Sequence, residues 1–121
     1  MTQKDPVVEV LEKLVSDIPG MTGNMVVGRD GVVIRSNVPA NLGVDDLAAM
    51  TTSMVALAEV LLASAAGGSL DRLRVVGTQG QVLGVPIADD VSLIMFARRS
   101  IDPDMAFESA GRAALQMAQF L

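Results

Sequence analysis

The sequence predicts a mixed α/β domain of the α+β type, in which one five-stranded antiparallel sheet is covered by helices on both faces. Three observations predict it. Helical and strand-like patterns follow one another in the order helix, two strands, helix, three strands, helix. The links between neighbouring strand candidates are of hairpin length, which implies antiparallel pairing. The helices are apolar, and the last strand candidate is apolar on both of its faces, so neither side of the sheet is expected to be bare. The 121 residues leave room for one continuous core and therefore for a single domain, residues 1–121.

Asp5-Pro6 reads as a helix start, because the carboxylate can accept from the orphan amides of the first turn and proline sits where its missing N–H costs nothing. Val7, Leu11, Leu14 and Ile18 recur at helical spacing, with Lys4, Glu9, Glu12, Lys13 and Asp17 around the rest of the wheel. A first helix is expected from about Pro6 to Asp17, ended by Pro19-Gly20. Between Gly23 and Ser36 the runs Met25-Val26-Val27 and Val32-Val33-Ile34 flank Gly28-Arg29-Asp30-Gly31. Asp30-Gly31 is a hairpin signal, since glycine accepts the positive φ of a tight turn. Asn37 to Gly43 then reads as a loop.

Val44 to Ala66 is the most informative stretch. It opens on Asp45-Asp46, which suit the positive end of a helix dipole, and closes on Gly67-Gly68. Leu47, Met50, Met54, Leu57 and Leu61 form one heptad-like stripe, and Val44, Ala48, Thr51, Val55, Ala58 and Leu62 form a second beside it. After Asp46 the only charge is Glu59. A helix with one side in water would carry more charge over this length, so the helix is expected to be covered on more than one side, either as a purely internal core helix or with one stripe on the sheet and the other on a partner. The length would also allow a membrane span, but Ala, Thr and Ser are frequent, Glu59 lies inside, and no aromatic or basic belt marks the ends. Membrane insertion is therefore not expected.

Three further strands follow in Leu70 to Thr78, Gln81 to Ile87 and Val91 to Ala97. Gly77 to Gly80 and Asp89-Asp90 supply the turns. Arg72 and Arg74 alternate with Leu73 and Val75, the pattern of a managed edge strand that can also pair with its own copy. Asp102-Pro103 repeats the cap and proline of Asp5-Pro6 and starts a last helix to about Phe120, with Phe107, Ala110, Ala114, Met117 and Leu121 on one face.

Composition narrows the function. Half of the residues are hydrophobic, yet there are three Phe, no Trp and no Tyr, so the core rests on Val, Leu, Ile, Ala and eight Met. So apolar a small chain is expected to hide surface in a partner, and self-association is the first inference. The net charge of -5 argues against nucleic acid, which is bound through clustered Lys and Arg. Without Cys or His, thiolate chemistry, the commonest general base and the commonest transition-metal ligand are removed together. The pairs Asp45-Asp46, Asp89-Asp90 and Asp102/Asp104 sit at helix starts or turns and read as caps and solvated turns. No phosphate-binding G-x-x-x-x-G-K-[ST] is present, and Gly77-Thr78-Gln79-Gly80 reads as turn chemistry, so the chain is not itself a GTPase. No catalytic, metal or cofactor residue is expected. Met1 to Pro6 lacks the pattern of a signal peptide, and a cytoplasmic location is expected.

Taken in order, Leu11, Leu14, Ile18-Pro19-Gly20, Val26-Val27-Gly28-Arg29-Asp30-Gly31-Val32-Val33-Ile34-Arg35-Ser36, Leu47-Ala48-Ala49-Met50, Leu83-Gly84-Val85-Pro86-Ile87 and Val91-Ser92-Leu93 resemble the roadblock family of dynein light chains and their bacterial and archaeal relatives. The resemblance implies a roadblock/profilin-like three-layer sandwich, with the first and last helices on one face of the sheet and the long helix on the other. It also implies a homodimer made through the long helix and the third strand, with Leu47, Met50, Met54, Leu57, Leu61, Leu73 and Val75 at the interface. It further implies binding of a small Ras-like GTPase by a non-catalytic scaffold, in an adaptor or GTPase-activating role. The competing expectation is a small-molecule sensor, because a sheet flanked by helices can enclose a pocket with adaptable Met-rich walls. A hydrolase built on the carboxylates is a third reading, with no recognisable constellation behind it.

Overall fold

The computed structural model describes residues 4–121. Its elements are α1 (Pro6–Asp17), β1 (Met21–Gly28), β2 (Val33–Asn37), α2 (Val44–Ser64), β3 (Leu73–Val76), β4 (Gly80–Ala88), β5 (Val91–Arg98) and α3 (Pro103–Ala118). The strands form one antiparallel sheet in the order β2-β1-β5-β4-β3. The strand with the unbroken apolar run, β5, is the central one, and β3 is an edge, as its alternating arginines suggest.

Alternation along the strands sorts the side chains between two layers. Val26, Leu83, Leu93, Met95 and Ala97 point to one face and are buried with Val7, Leu11 and Leu14 of α1 and Ala106, Phe107, Ala110 and Met117 of α3. Met25, Val27 and Ile94 point to the other face, where Ala48 of α2 completes a much smaller buried cluster. Thus α1 and α3 cover one side and α2 the other, the layering that the resemblance implies. Asn24 on β1 is fully buried beneath α1 and donates from Nδ2 to the Leu11 carbonyl at 2.9 Å.

Both capped helices begin as the sequence indicates. Asp5 accepts from the amides of Val7 and Val8 at 2.9 and 3.3 Å, and Asp102 from those of Asp104 and Met105 at 3.0 and 3.3 Å. Gly31 takes a φ of +85° in the β1–β2 turn, the positive φ that an Asp-Gly hairpin turn requires.

Several boundaries differ. β1 starts four residues before the Met25 run, because Gly23 and Asn24 pair with β5 despite poor intrinsic preference for strands. β2 begins at Val33 and runs on to Asn37, which pairs with Asn24 instead of opening the loop. α2 stops at Ser64, and the chain reverses through Ala66 at φ +56° and Gly68 at φ +80°. β3 shortens to Leu73–Val76. On α3 the buried face contains Ala113 in place of Ala114, and Leu121 is exposed, since the helix ends at Ala118 and no longer carries the periodicity that far.

One ion pair fastens the start of α1 to the edge of the sheet. Arg35 on β2 donates from Nε to Asp5 Oδ2 at 2.6 Å. This hydrogen bond is the main reason the Asp5 carboxyl titrates below its ordinary value of 3.8; partial desolvation opposes it, and the Val8 and Val7 amides reinforce it. A carboxylate with a depressed folded pKa stabilises the fold above its unfolded pKa and loses that contribution as pH falls through the folded one. Arg35→Gln should therefore lower Tm at neutral pH. The difference from wild type should shrink below pH 3.8 and vanish once Asp5 is protonated in the folded state, as read by thermal denaturation across a pH series.

Candidate docking surface

The surface is built on α2, a 21-residue helix of which only Ala48 and Thr51 are buried. Its hydroxyls are largely turned inward on its own backbone: Thr52 donates to the Ala48 carbonyl at 2.8 Å, Thr51 to the same oxygen at 3.2 Å and Ser53 to the Ala49 carbonyl at 2.9 Å. With those donors satisfied, the polar residues of α2 do not oppose packing against an apolar surface.

The two stripes of the helix separate clearly. Val44, Ala48, Thr51, Val55, Ala58 and Leu62 lie towards the protein, all buried or half-buried. Of the other stripe, Met50, Leu57 and Leu61 are 60%, 70% and 67% exposed, while Leu47 and Met54 are half-buried along its border. Leu47 packs against the Met25, Val27 and Ile94 cluster as well as bordering the open face. Periodicity alone missed Val60, which is 62% exposed beside Leu57 and Leu61. Its signal was weak because α2 is apolar almost all round, so no polar residue marks where the outward face ends.

The strand residues lie on the same side of the sheet as α2. Leu73 pairs with Gly84 and Val75 with Val82, and Gly84 in turn pairs with Ile94 of the α2-side cluster. A Cβ on Gly84 would stand 3.3 Å from Ile94 Cδ1 and 3.8 Å from Leu73 Cβ, so glycine lets those side chains close over β4. Leu73 is half-buried and Val75 is 42% exposed on the free edge. The structure therefore shows Met50, Leu57, Leu61 and Val75 as open apolar surface, with Leu47, Met54 and Leu73 partly committed to their own chain.

The C-terminal half of α2 stands off the sheet, leaving a cleft of 620 Å³ between it and the β4–β5 hairpin, with Thr52, Val55, Ala56, Pro86 and Val91 among its walls. Arg29, on the β1–β2 turn, bridges its mouth. The guanidinium donates to Glu59 of α2 at 3.0 Å and to Asp90 of the hairpin at 2.8 Å, and the Arg29 amide donates to the Asp90 carbonyl at 2.8 Å. The one charge of α2 beyond its first turn is thus spent tying the helix to the fold. α2 has the length and apolarity of a membrane span, yet this ion pair and the burial of Ala48 and Thr51 fasten it to the sheet.

Little here points to chemistry. Asp5 and Asp102 are helix caps, Asp90 is paired with Arg29, and among the described residues no three of His, Cys, Asp or Glu converge to hold a metal ion. What the arrangement offers is an apolar helix face and a free strand edge on one side of a sheet.

The chain belongs to the Roadblock/LC7 family, whose domain model matches residues 7–97. An uncharacterized protein of Methanocaldococcus jannaschii, MJ0310, is 30% identical over 76 residues, which cover 63% of this chain and 67% of that protein. Among solved structures, MglB of Myxococcus xanthus superposes with a TM-score of 0.88 at 15% identity, covering 98% of this chain and 97% of that one. A structure of MglB with a tetrameric arrangement gives 0.85 at 17% identity, covering 98% and 92%.

The orientation of α2 has a direct check. Ala48 is 0% exposed, and Ala48→Leu should destabilise the protein by about 1–3 kcal/mol through overpacking, measured by urea denaturation.

Proposed function

We propose that the chain is a non-catalytic homodimeric scaffold of the cytoplasm that binds a small Ras-like GTPase, as an adaptor or activator. The carrying observation is the open apolar face of α2, where Met50, Leu57, Val60 and Leu61 are each at least 60% exposed. Burying one such side chain is worth about 1.5–3 kcal/mol relative to leaving it in water, so a face of this kind favours a partner. A second copy is the partner that completes it, joined through Leu47, Met50, Met54, Leu57 and Leu61 of α2 and through Leu73 and Val75 on the free edge of β3. Antiparallel pairing of β3 with its copy would satisfy the unpaired backbone groups of that edge and continue the sheet. The tetrameric arrangement of MglB, a structure of the same fold, supports association. The GTPase is supported by the family resemblance.

Light scattering tests the assembly. Wild type should have a mass near twice 12.6 kDa at micromolar concentration, and Leu57→Asp should halve it with an unchanged far-UV circular dichroism spectrum. A Ras-like GTPase from the same organism, loaded with GDP or a GTP analogue, should co-elute with the wild type. A monomeric wild type, or no co-elution in either nucleotide state, would overturn the corresponding half of the reading.

The cleft beneath α2 favours a second reading, a small-molecule sensor. Ala56 is among the residues that line it. The scaffold reading expects no ligand there. A thermal-shift screen that finds compounds raising the Tm of wild type but not of Ala56→Phe would favour the sensor.

A further inference from the structure

The chain has nine Lys and Arg residues. Six of them are neutralised locally: Lys4 by Glu12, Lys13 by Asp17, Arg29 by Glu59 and Asp90, Arg35 by Asp5, Arg72 by Asp71 and Arg112 by Glu108. Among the described residues, the other three, Arg74, Arg98 and Arg99, have no carboxylate within 4.0 Å. They are not scattered. Arg98 ends β5 opposite Gly80, Arg99 follows it, and Arg74 sits on β3, the strand on the far side of β4.

A buried side chain holds two of these positions in register. Gln81, 4% exposed, accepts from Arg74 Nε at 2.9 Å and donates from Nε2 to the Arg99 carbonyl at 3.0 Å. Arg99 Nη1 in turn reaches the Thr78 carbonyl in the β3–β4 turn at 3.4 Å. The nearby carboxylates are already engaged, Asp71 with Arg72 and Asp102 with the first turn of α3. All three arginines are exposed, and most of their N–H donors face water. In a chain with 14 acidic residues and a net charge of -5, one corner of the sheet keeps an uncompensated positive field.

We propose that this corner, Arg74, Arg98 and Arg99 around the β3–β4 turn, docks a carboxylate-rich segment of a partner protein. The layout selects that class. Arg74 lies on the α3 side of β3, whereas Arg98, next to inward-facing Ala97, leaves β5 on the α2 side. The guanidiniums therefore lie on opposite faces around the end of the sheet that carries the β3–β4 turn instead of converging on one point, which suits spaced carboxylates on an extended chain better than a single phosphate. Nucleic acid would need a more extended basic surface than three arginines in a chain of net charge -5, which also has no Trp or Tyr for stacking. A short acidic segment stays within about 10 Å of the patch, the Debye length at 0.1 M salt, beyond which the remaining negative charge is screened. This site belongs to one protomer and goes beyond the scaffold reading. Pairing of β3 with its copy would set two such corners side by side.

The probe is a fluorescein-labelled octaglutamate peptide, titrated by fluorescence anisotropy at about 0.1 M salt, where the distant negative charge is screened. Wild type should bind it, and Arg98→Gln/Arg99→Gln should weaken binding by at least about tenfold, the scale of losing charge-assisted hydrogen bonds. Arg74→Gln should weaken it less, and Arg112→Gln, which removes a cation already paired on α3, should change nothing. The proposal is overturned by absence of binding at millimolar peptide, by equal losses in Arg112→Gln, or by an unaffected double variant. Displacement of the peptide by low-millimolar inorganic phosphate would overturn the choice of a protein segment. Light scattering on the double variant, expected at the wild-type mass, separates failure of this site from failure of the dimer.

Discussion

The pairing of β5 between β1 and β4 sends Leu93 and Met95 to one face of the sheet and Ile94 to the other, and the two faces receive unequal cover. On the first, α1 and α3 bury a large cluster that reaches from Val7 to Met117. On the second, one helix rests on Met25, Val27 and Ile94 through little more than Ala48 and its neighbours. A sheet apolar on both faces has to be covered on both, so the thinly covered side shapes the rest of the molecule.

α2 answers that constraint only in part. Its inward stripe meets the sheet near the N-terminal end, while its C-terminal half is held by polar contacts, with Glu59 bound to Arg29 and Arg29 bound to Asp90. Exposed ion pairs of this kind contribute little to stability, about 0–1 kcal/mol each. Their effect is geometric, since they fix how far the helix stands from the hairpin and hence the width of the cleft. The same stand-off leaves Leu57, Val60 and Leu61 in water, and a single arrangement thereby accounts for both the open face and the cavity beneath it.

The charges follow a parallel logic. Six cations are neutralised inside the chain, and two of them, Arg29 with Glu59 and Asp90 and Arg35 with Asp5, fasten one element to another. Near the β3–β4 turn an uncharged, buried amide, Gln81, holds the Arg74 side chain and the Arg99 backbone carbonyl without cancelling the charge of either arginine. The basic corner meets the proposed dimer seam at β3, where Arg74 alternates with Leu73 and Val75 and leaves the strand on the opposite face of the sheet, so pairing of β3 with its copy would bring the two corners together.

Most of the architecture was legible in the chain. Asp5-Pro6 and Asp102-Pro103 placed two helix starts, Asp30-Gly31 and Asp89-Asp90 placed two turns, and the unbroken run from Val91 to Ala97 marked the central strand. These signals are local, because caps, glycine turns and apolar periods act within a few residues of themselves. Strand ends were less legible, since Gly23 and Asn24 extend β1 by pairing with β5 and not by preference. The candidate site was legible as a helix, though not as a surface. Two apolar stripes on α2 were plain, but which one faced the sheet depended on where Met25, Val27 and Ile94 came to lie. The sequence by itself determined the elements, their order and the absence of thiol and imidazole chemistry. Only the tertiary structure decided which stripe stayed in water and which arginines stayed unpaired, because both follow from contacts between residues far apart in the chain, such as Arg29 with Glu59 and Gln81 with Arg99.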